Sequence, residues 1–197
     1  MAVQNMFKGI VLLITDVLYV FYKTEVRGKE NLPDGPFVLA SNHISNWDPV
    51  FLYKKLKNKN IRFMAKKELF ENKFLAWAIR KFGAFPVDRN SNDIKAVKTG
   101  LSVLKNGEVL GIFPQGTRCD LIDPENVKPG YIVFADRCNV PIVPVSITKS
   151  KKIRTHFTYT IGKPVSIEKE EKNLTPEEME KLSLNIMTSI KKMAENV

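Results

Sequence analysis

The stretch Asn42-His43-Ile44-Ser45-Asn46-Trp47-Asp48-Pro49 sets an imidazole and a carboxylate five residues apart. A carboxylate that accepts one ring N–H fixes the tautomer, and the other ring nitrogen can then take a proton from a substrate. Asp48 has a second reading. Asp48-Pro49 is also a helix-start signal, an acidic N-cap followed by proline at the first helical position. The sequence leaves both open. A second stretch, Pro114-Gln115-Gly116-Thr117-Arg118, carries a glycine that lets backbone approach a ligand and a guanidinium whose fork of donors suits a phosphate. Its plainer reading is a strand-to-loop turn with a solvated arginine.

Both stretches follow purely apolar runs, Phe37 to Ala40 and Val109 to Phe113, which read as buried strands. Loops that leave the carboxyl ends of parallel strands share one edge of an open α/β sheet, where ligands bind. Parallel strands here would bring the two stretches together. The chain between and after them alternates strand and helix signals. Leu32 to Pro36 is a turn, and Val50 to Leu56 a short helix. Ile61 to Ala65 is a strand ending at Lys66-Lys67. Phe70, Phe74, Ala78 and Phe82 share a helix face that Gly83 stops. Ser91 or Asn92 caps a helix carrying Ile94, Val97, Leu101 and Leu104, closed by Gly107. Tyr131 to Arg137 reads as helical. Pro141 to Ile147 is strand-like, with two prolines that suggest an edge or an irregular end. Ile153 to Ile161 alternates like a half-exposed strand, with His156 on its polar face and without a chemical role. Thr175-Pro176-Glu177-Glu178 is a capping box opening a helix of Met179, Leu182, Ile186, Ile190 and Met193. The expected fold is one α/β domain, a largely parallel mixed sheet flanked by helices.

A chain of 197 residues suits one such domain. Its net charge of +10, from 31 Lys and Arg against 21 Asp and Glu, implies an anionic partner. No nucleic-acid motif is present and the lysines are scattered, so an anionic membrane surface or a phosphorylated substrate is the better match. Two histidines and two cysteines without ligand spacing exclude a histidine-rich metal site, and no cleavable signal is visible. Residues 6–22 are strongly apolar but carry Asp16, with Lys8 and Lys23 flanking the apolar stretch. A helix lying in one leaflet, a buried core helix and a spanning helix are the three readings, the first preferred because the run is short for a span. The expected division is an apolar, membrane-associating helix in residues 1–30 and a globular domain in 31–197.

Taken together, Asn42-His43-x4-Asp48, Gly83 to Arg89, Phe113 to Arg118 and Val140 to Val145 resemble the four ordered motifs of glycerolipid acyltransferases, most closely the bacterial 1-acylglycerol-3-phosphate acyltransferases. The resemblance covers about residues 36–150. It implies transfer of a fatty acyl group from a thioester of acyl carrier protein or coenzyme A to the sn-2 hydroxyl of lysophosphatidic acid. It implies His43 as general base and Asp48 as its orienter, with no cofactor and no metal. By motif position, Arg89, Thr117 and Arg118 would hold the acceptor's phosphate, with Gly116 supplying backbone and Gln115 part of the binding loop. Either Lys66 or Lys67 would be a further phosphate ligand. Asp88 is expected to pair with a cation, and Val140 to Val145 to shape the sheet and the acyl path. Cys119 is set aside as an acyl-enzyme nucleophile. The expected place is the cytoplasmic face of the cell membrane. One position departs from the pattern: Gln115 stands where the family usually has glutamate. A working enzyme acting on this or another lysolipid, and a weakened lipid-binding homologue, are its two readings.

Overall fold

The computed structural model describes residues 23–56, 59–88, 91, 93–150, 156–167 and 173–197. Seven strands form one sheet: β1 (Lys23–Arg27), β2 (Val38–Ser41), β3 (Ile61–Lys66), β4 (Phe85–Val87), β5 (Val109–Ile112), β6 (Ile142–Lys149) and β7 (His156–Ile161). Their order is β1-β7-β6-β2-β5-β3-β4. Strands β2 to β6 run parallel, and β7 with β1 runs against them. The helices are α1 (Asp48–Lys55), α2 (Lys73–Lys81), α3 (Ile94–Lys105), α4 (Ile132–Cys138) and α5 (Pro176–Glu195). Parallel neighbours need crossovers, and helices supply them.

Buried strands alternate between two apolar layers because successive side chains point to opposite faces. Val38 and Ala40 of β2 join Val103 and Leu104 of α3, Ile132 of α4 and Ile186 of α5. Phe37 and Leu39 join Phe51 and Leu52 of α1 on the other face. Gly111 in β5 makes room for the second layer: a Cβ there would stand 2.4 Å from the Phe63 ring.

Several sequence expectations need correction. Lys23–Arg27 pairs in register with β7, so these residues belong to the sheet and the boundary expected at residue 30 falls earlier. The apolar segment 6–22 lies outside the described residues. β6 is interior, between β2 and β7, despite its prolines. Pro144 is tolerated because its carbonyl still accepts the Gly162 N–H, at 2.8 Å, and only the reciprocal donor is missing, where β7 has ended. β7 is interior too, with Phe157, Thr158 and Tyr159 all buried, because β1 covers its far side. In α2 the buried residue is Ala76, and Phe74 is exposed. Asp93, not Ser91 or Asn92, caps α3, its side chain accepting from Ala96 N–H. The capping box of α5 forms as expected.

Candidate active site

β2 delivers His43 to the carboxyl edge of the sheet. Asn42, buried just past the strand, fixes the exit point. Its amide donates to the Ile147 carbonyl at 2.8 Å and accepts the Ile147 N–H at 2.7 Å, extending the β2–β6 ladder with a side chain. Asn42 opens the first motif, and its sequence position alone assigns it no role. The signal was an amide set directly behind an apolar strand, where a buried polar group needs partners.

Asp48 is fully buried, and its Oδ2 accepts from three donors: His43 Nδ1 at 2.7 Å, Ile44 N–H at 2.8 Å and Ser45 N–H at 2.7 Å. It is not an N-cap. Trp47 holds the cap position without a side-chain bond, and Asp48 is the first helical residue, its carboxylate turned back onto the preceding loop. The donors of that loop outcompete the helix end for the same oxygen. No Lys or Arg pairs with Asp48 among the described residues, and His43 is the one ionisable side chain that shares its Oδ2.

The loop after β5 closes on the same imidazole. Phe113 stacks on the His43 ring with centroids 4.1 Å apart, and Phe63 stacks on Phe113 at 5.9 Å. The Cys119 N–H donates to the His43 carbonyl at 2.9 Å, which ties the two motif loops together. In the sequence Phe113 ends a strand and opens the third motif, and neither position announces the stack. Gly116 has φ of 69°, and a Cβ there would meet nothing within 4 Å, so backbone conformation and not crowding requires glycine.

A cavity of about 310 Å³ opens beside His43. Phe63, Met64, Leu69, Ile79, Phe82 and Phe113 make it largely apolar, and Lys66, Gly116, Thr117 and Arg118 also line it. Of the expected binding residues, Lys66, Gly116, Thr117 and Arg118 therefore converge with His43. Lys66 also stands 3.7 Å from Glu68. Lys67 is turned away onto Asp88, and that bond raises its pKa. Gln115 does not line the cavity. Its Nε2 donates to the Leu121 carbonyl at 3.2 Å, while its Oε1 is buried without a partner. Arg89 lies outside the described residues. Burial, followed by the charges of Asp120 and Asp123, pushes the Cys119 thiol up, against the needs of a nucleophile. Among the described residues no acidic, histidine or cysteine cluster could hold a metal ion, and no helix is long and apolar enough to cross a membrane.

A family model described as acyltransferase matches residues 23–148. Over 124 residues the chain is 42% identical to the 1-acyl-sn-glycerol-3-phosphate acyltransferase of Bacillus subtilis strain 168, covering 62% of this chain and 61% of that protein. Over 168 residues it is 34% identical to the enzyme of the same name from Streptococcus pneumoniae, covering 82% of this chain and 62% of that one. The chain thus spans about three-fifths of the length of these curated relatives. A crystal structure of the 1-acyl-sn-glycerophosphate (LPA) acyltransferase from Thermotoga maritima is similar with a TM-score of 0.69 and 26% identity, over 91% of this chain and 73% of that one.

Proposed function

The chain belongs to the acyltransferase family, and on that premise we propose that it acylates the sn-2 hydroxyl of 1-acylglycerol-3-phosphate, giving phosphatidic acid for phospholipid biosynthesis. The donor is an acyl thioester of acyl carrier protein or coenzyme A. The observation that carries this reading is the His43–Asp48 pair beside an apolar cavity whose lining also includes Thr117 and Arg118.

Asp48 holds Nδ1, which leaves Nε2 as the proton acceptor. An alcohol is a weak nucleophile, so Nε2 takes the hydroxyl proton as the oxygen attacks the thioester carbonyl. The tetrahedral intermediate collapses, the C–S bond breaks, and the leaving thiolate takes the proton back from the imidazolium. The thioester is already activated, so no enzyme nucleophile is needed. Fatty acyl chain fits the apolar walls at Phe63, Met64, Ile79 and Phe82. Thr117, Arg118 and Lys66 fit the acceptor's phosphate, and Arg89 joins them by its place in the second motif. Residues 6–22 serve as an interfacial anchor on the cytoplasmic face of the membrane, within an N-terminal segment that ends before β1.

The test is direct. Purified full-length protein is given lysophosphatidic acid with an acyl carrier protein thioester or a coenzyme A thioester, and phosphatidic acid is measured by mass spectrometry. Product that disappears in His43→Ala supports the reading. No product from either donor, at any acyl length, overturns it.

A further inference from the structure

β4 pairs only with Met64 to Lys66, so among the described residues the first half of β3 has no strand on its outer side. Successive side chains alternate between faces, so Arg62 shares the face of Met64, the one that α3 covers. A cleft of about 460 Å³ stays open there between Arg62 and the helix. Lys95, Lys98, Thr99, Ser102 and Asn106 line its helix side, at the spacings of three and four that share one helix face. The Arg62 Nε is buried without a partner, and no carboxylate pairs with Arg62, Lys95 or Lys98 among the described residues. Acids are few here. α3 holds no Asp or Glu from Ile94 to Lys105. The Asp93 carboxylate, just before it, is engaged by the Asp88 and Ala96 N–H groups at 2.9 Å each. Asp88 holds Lys67, and Glu108 is the one acid on the cleft wall among the described residues. Lys105, exposed in the last turn of α3, extends the row of cations.

Hydroxyl and amide side chains lie between these cations, and Ile94 is the one large, largely exposed apolar side chain on α3. The cations form a row and do not gather at one point: Lys95 and Lys105 stand about 15 Å apart along the helix at 1.5 Å per residue. A single phosphate needs convergent donors, whereas a row of carboxylates on a partner's helix needs a row of cations. We infer that the exposed face of α3, with Arg62, docks an acidic acyl carrier protein that presents its thioester to His43. The inference rests on the proposed acyl transfer and narrows its donor. Reach agrees with it. Asp93 ties the start of α3 to the end of β4. From β2, which delivers His43, the strands β5, β3 and β4 follow in order, three steps of about 4.8 Å or about 14 Å along the edge. A phosphopantetheine arm has about 13 bonds from phosphorus to sulfur and spans on the order of 15 Å at the ~3.6 Å per three bonds of an extended polypeptide. Met64, Ala65 and Lys66 of β3, which lies between β4 and β5, form part of the cavity wall, so the arm crosses into the site over β3. Two other occupants fit less well. Coenzyme A carries its phosphates on one nucleotide and would use one end of so long a row. An anionic leaflet would meet one apolar side chain able to enter it.

Full-length protein is compared with Lys95→Glu plus Lys98→Glu, and with the milder Lys95→Gln plus Lys98→Gln. Lys181→Glu plus Lys192→Glu on α5 makes the same charge reversal elsewhere. None of these residues lines the cavity beside His43. Binding of fluorescently labelled acyl carrier protein is read by anisotropy, and turnover is measured with carrier and coenzyme A thioesters of one acyl chain. Charge reversal on α3 is expected to weaken carrier binding, and to lower kcat/KM for the carrier thioester through KM, by roughly tenfold or more, with the gap closing at high salt. The glutamine variant should lose less in the same direction. Turnover of the coenzyme A thioester, and both carrier readouts in the α5 control, should stay within about twofold of wild type. A carrier protein with acidic helix residues changed to lysine should bind the glutamate variant better than it binds wild type. Wild type that ignores the carrier protein and uses only coenzyme A overturns the inference and leaves acyl transfer standing. Equal losses with both donors in both α3 variants, losses as large in the α5 control, or no loss at all overturn it too. Carrier binding that the α3 variants weaken, in a protein that makes no phosphatidic acid, upholds the docking face and removes the acyl-transfer reading instead.

Discussion

Phe113 lies face to face with His43, ring centroids 4.1 Å apart and planes 18° from parallel. Asp48 fixes the imidazole at Nδ1 only, and a ring held at one atom can still tilt; the phenyl face removes that freedom. The same face attracts the positive charge that arrives when Nε2 is protonated. Aromatic pairs contribute about 0.5–1.5 kcal/mol beyond burial, so Phe113→Leu should lower kcat roughly two- to tenfold with KM little changed. Only two histidines exist, so the His43 ring protons can be followed by NMR. Loss of their ring-current shift in the variant, together with an altered pH profile of kcat, separates positioning from a general loss of fold. An unchanged kcat would show that Asp48 orients the ring alone.

His43→Ala should lower activity by about 10²–10⁴, the usual range for a positioned general base. Asp48→Asn keeps an oxygen for the Ile44 and Ser45 N–H groups, so the loop and α1 should survive, but it removes the charge that faces the imidazole. Because the two act as a unit, the double variant should be no worse than His43→Ala alone. Additive losses in steady-state kinetics would mean that Asp48 serves the fold and not the base.

The pair and its edge were legible before the fold was known because the signals are local. A buried apolar run ends and polar residues begin, and parallel strands then bring the ends together. β1 was illegible for an equally physical reason. Lys23-Thr24-Glu25-Val26-Arg27 has one large apolar residue among charges, since an edge strand is held by backbone bonds to β7 and shows no hydrophobic period. The Phe113 stack and the Asn42 clamp were hidden because each partner is distant in sequence, 70 residues for His43 and 105 for Ile147. Asp48 showed both its readings, and only the three donors on Oδ2 separate them.

Lys66 and Lys67 are adjacent in sequence and opposite in use. Lys66 lines the cavity, whereas Lys67 is held by Asp88. Charge-assisted hydrogen bonds contribute about 1.5–3 kcal/mol, so Lys66→Ala should raise KM for the phosphorylated acceptor roughly ten- to a hundredfold. Lys67→Ala should leave KM within about twofold of wild type. The reverse ranking would move the phosphate site toward the second motif.

The Cys119 thiol is raised by burial first and by Asp120 and Asp123 next, so at neutral pH it is protonated. Its alkylation rate should be low at pH 7 and still rising above the ordinary thiol range, about pH 8.5, because the thiolate is the reactive form. Cys119→Ala keeps the backbone N–H that reaches the His43 carbonyl and should retain most activity. An acylated Cys119 trapped by mass spectrometry would replace direct transfer with a two-step route.

Gln115 donates its amide N–H to the Leu121 carbonyl, and that contact decides what the usual family glutamate would do here. An ionised carboxylate has only acceptors, so Gln115→Glu sets two oxygens against each other in the loop that carries Thr117 and Arg118. Losing the donor should destabilise the protein by about 0.5–1.5 kcal/mol, the net value of an ordinary hydrogen bond, since water can reach the carbonyl of the exposed Leu121. The effect on kcat/KM should stay under about tenfold, or about 1.4 kcal/mol, because His43 remains the base and Gln115 does not line the cavity. The sign with pH follows from the donor. A carboxyl facing a carbonyl is stabilised when protonated, because the O–H then donates as the amide did, so its folded pKa rises above the unfolded value. The Glu variant should therefore approach wild-type stability in mildly acidic solution and lose ground as pH rises through the folded pKa. Gln115→Met, similar in length and without a donor, should be destabilised equally at every pH. Thermal melts of the three proteins across pH make the comparison. A Glu variant more stable than wild type at neutral pH, and more active with lysophosphatidic acid, would show that glutamine impairs this loop and that the Leu121 contact does not explain its presence.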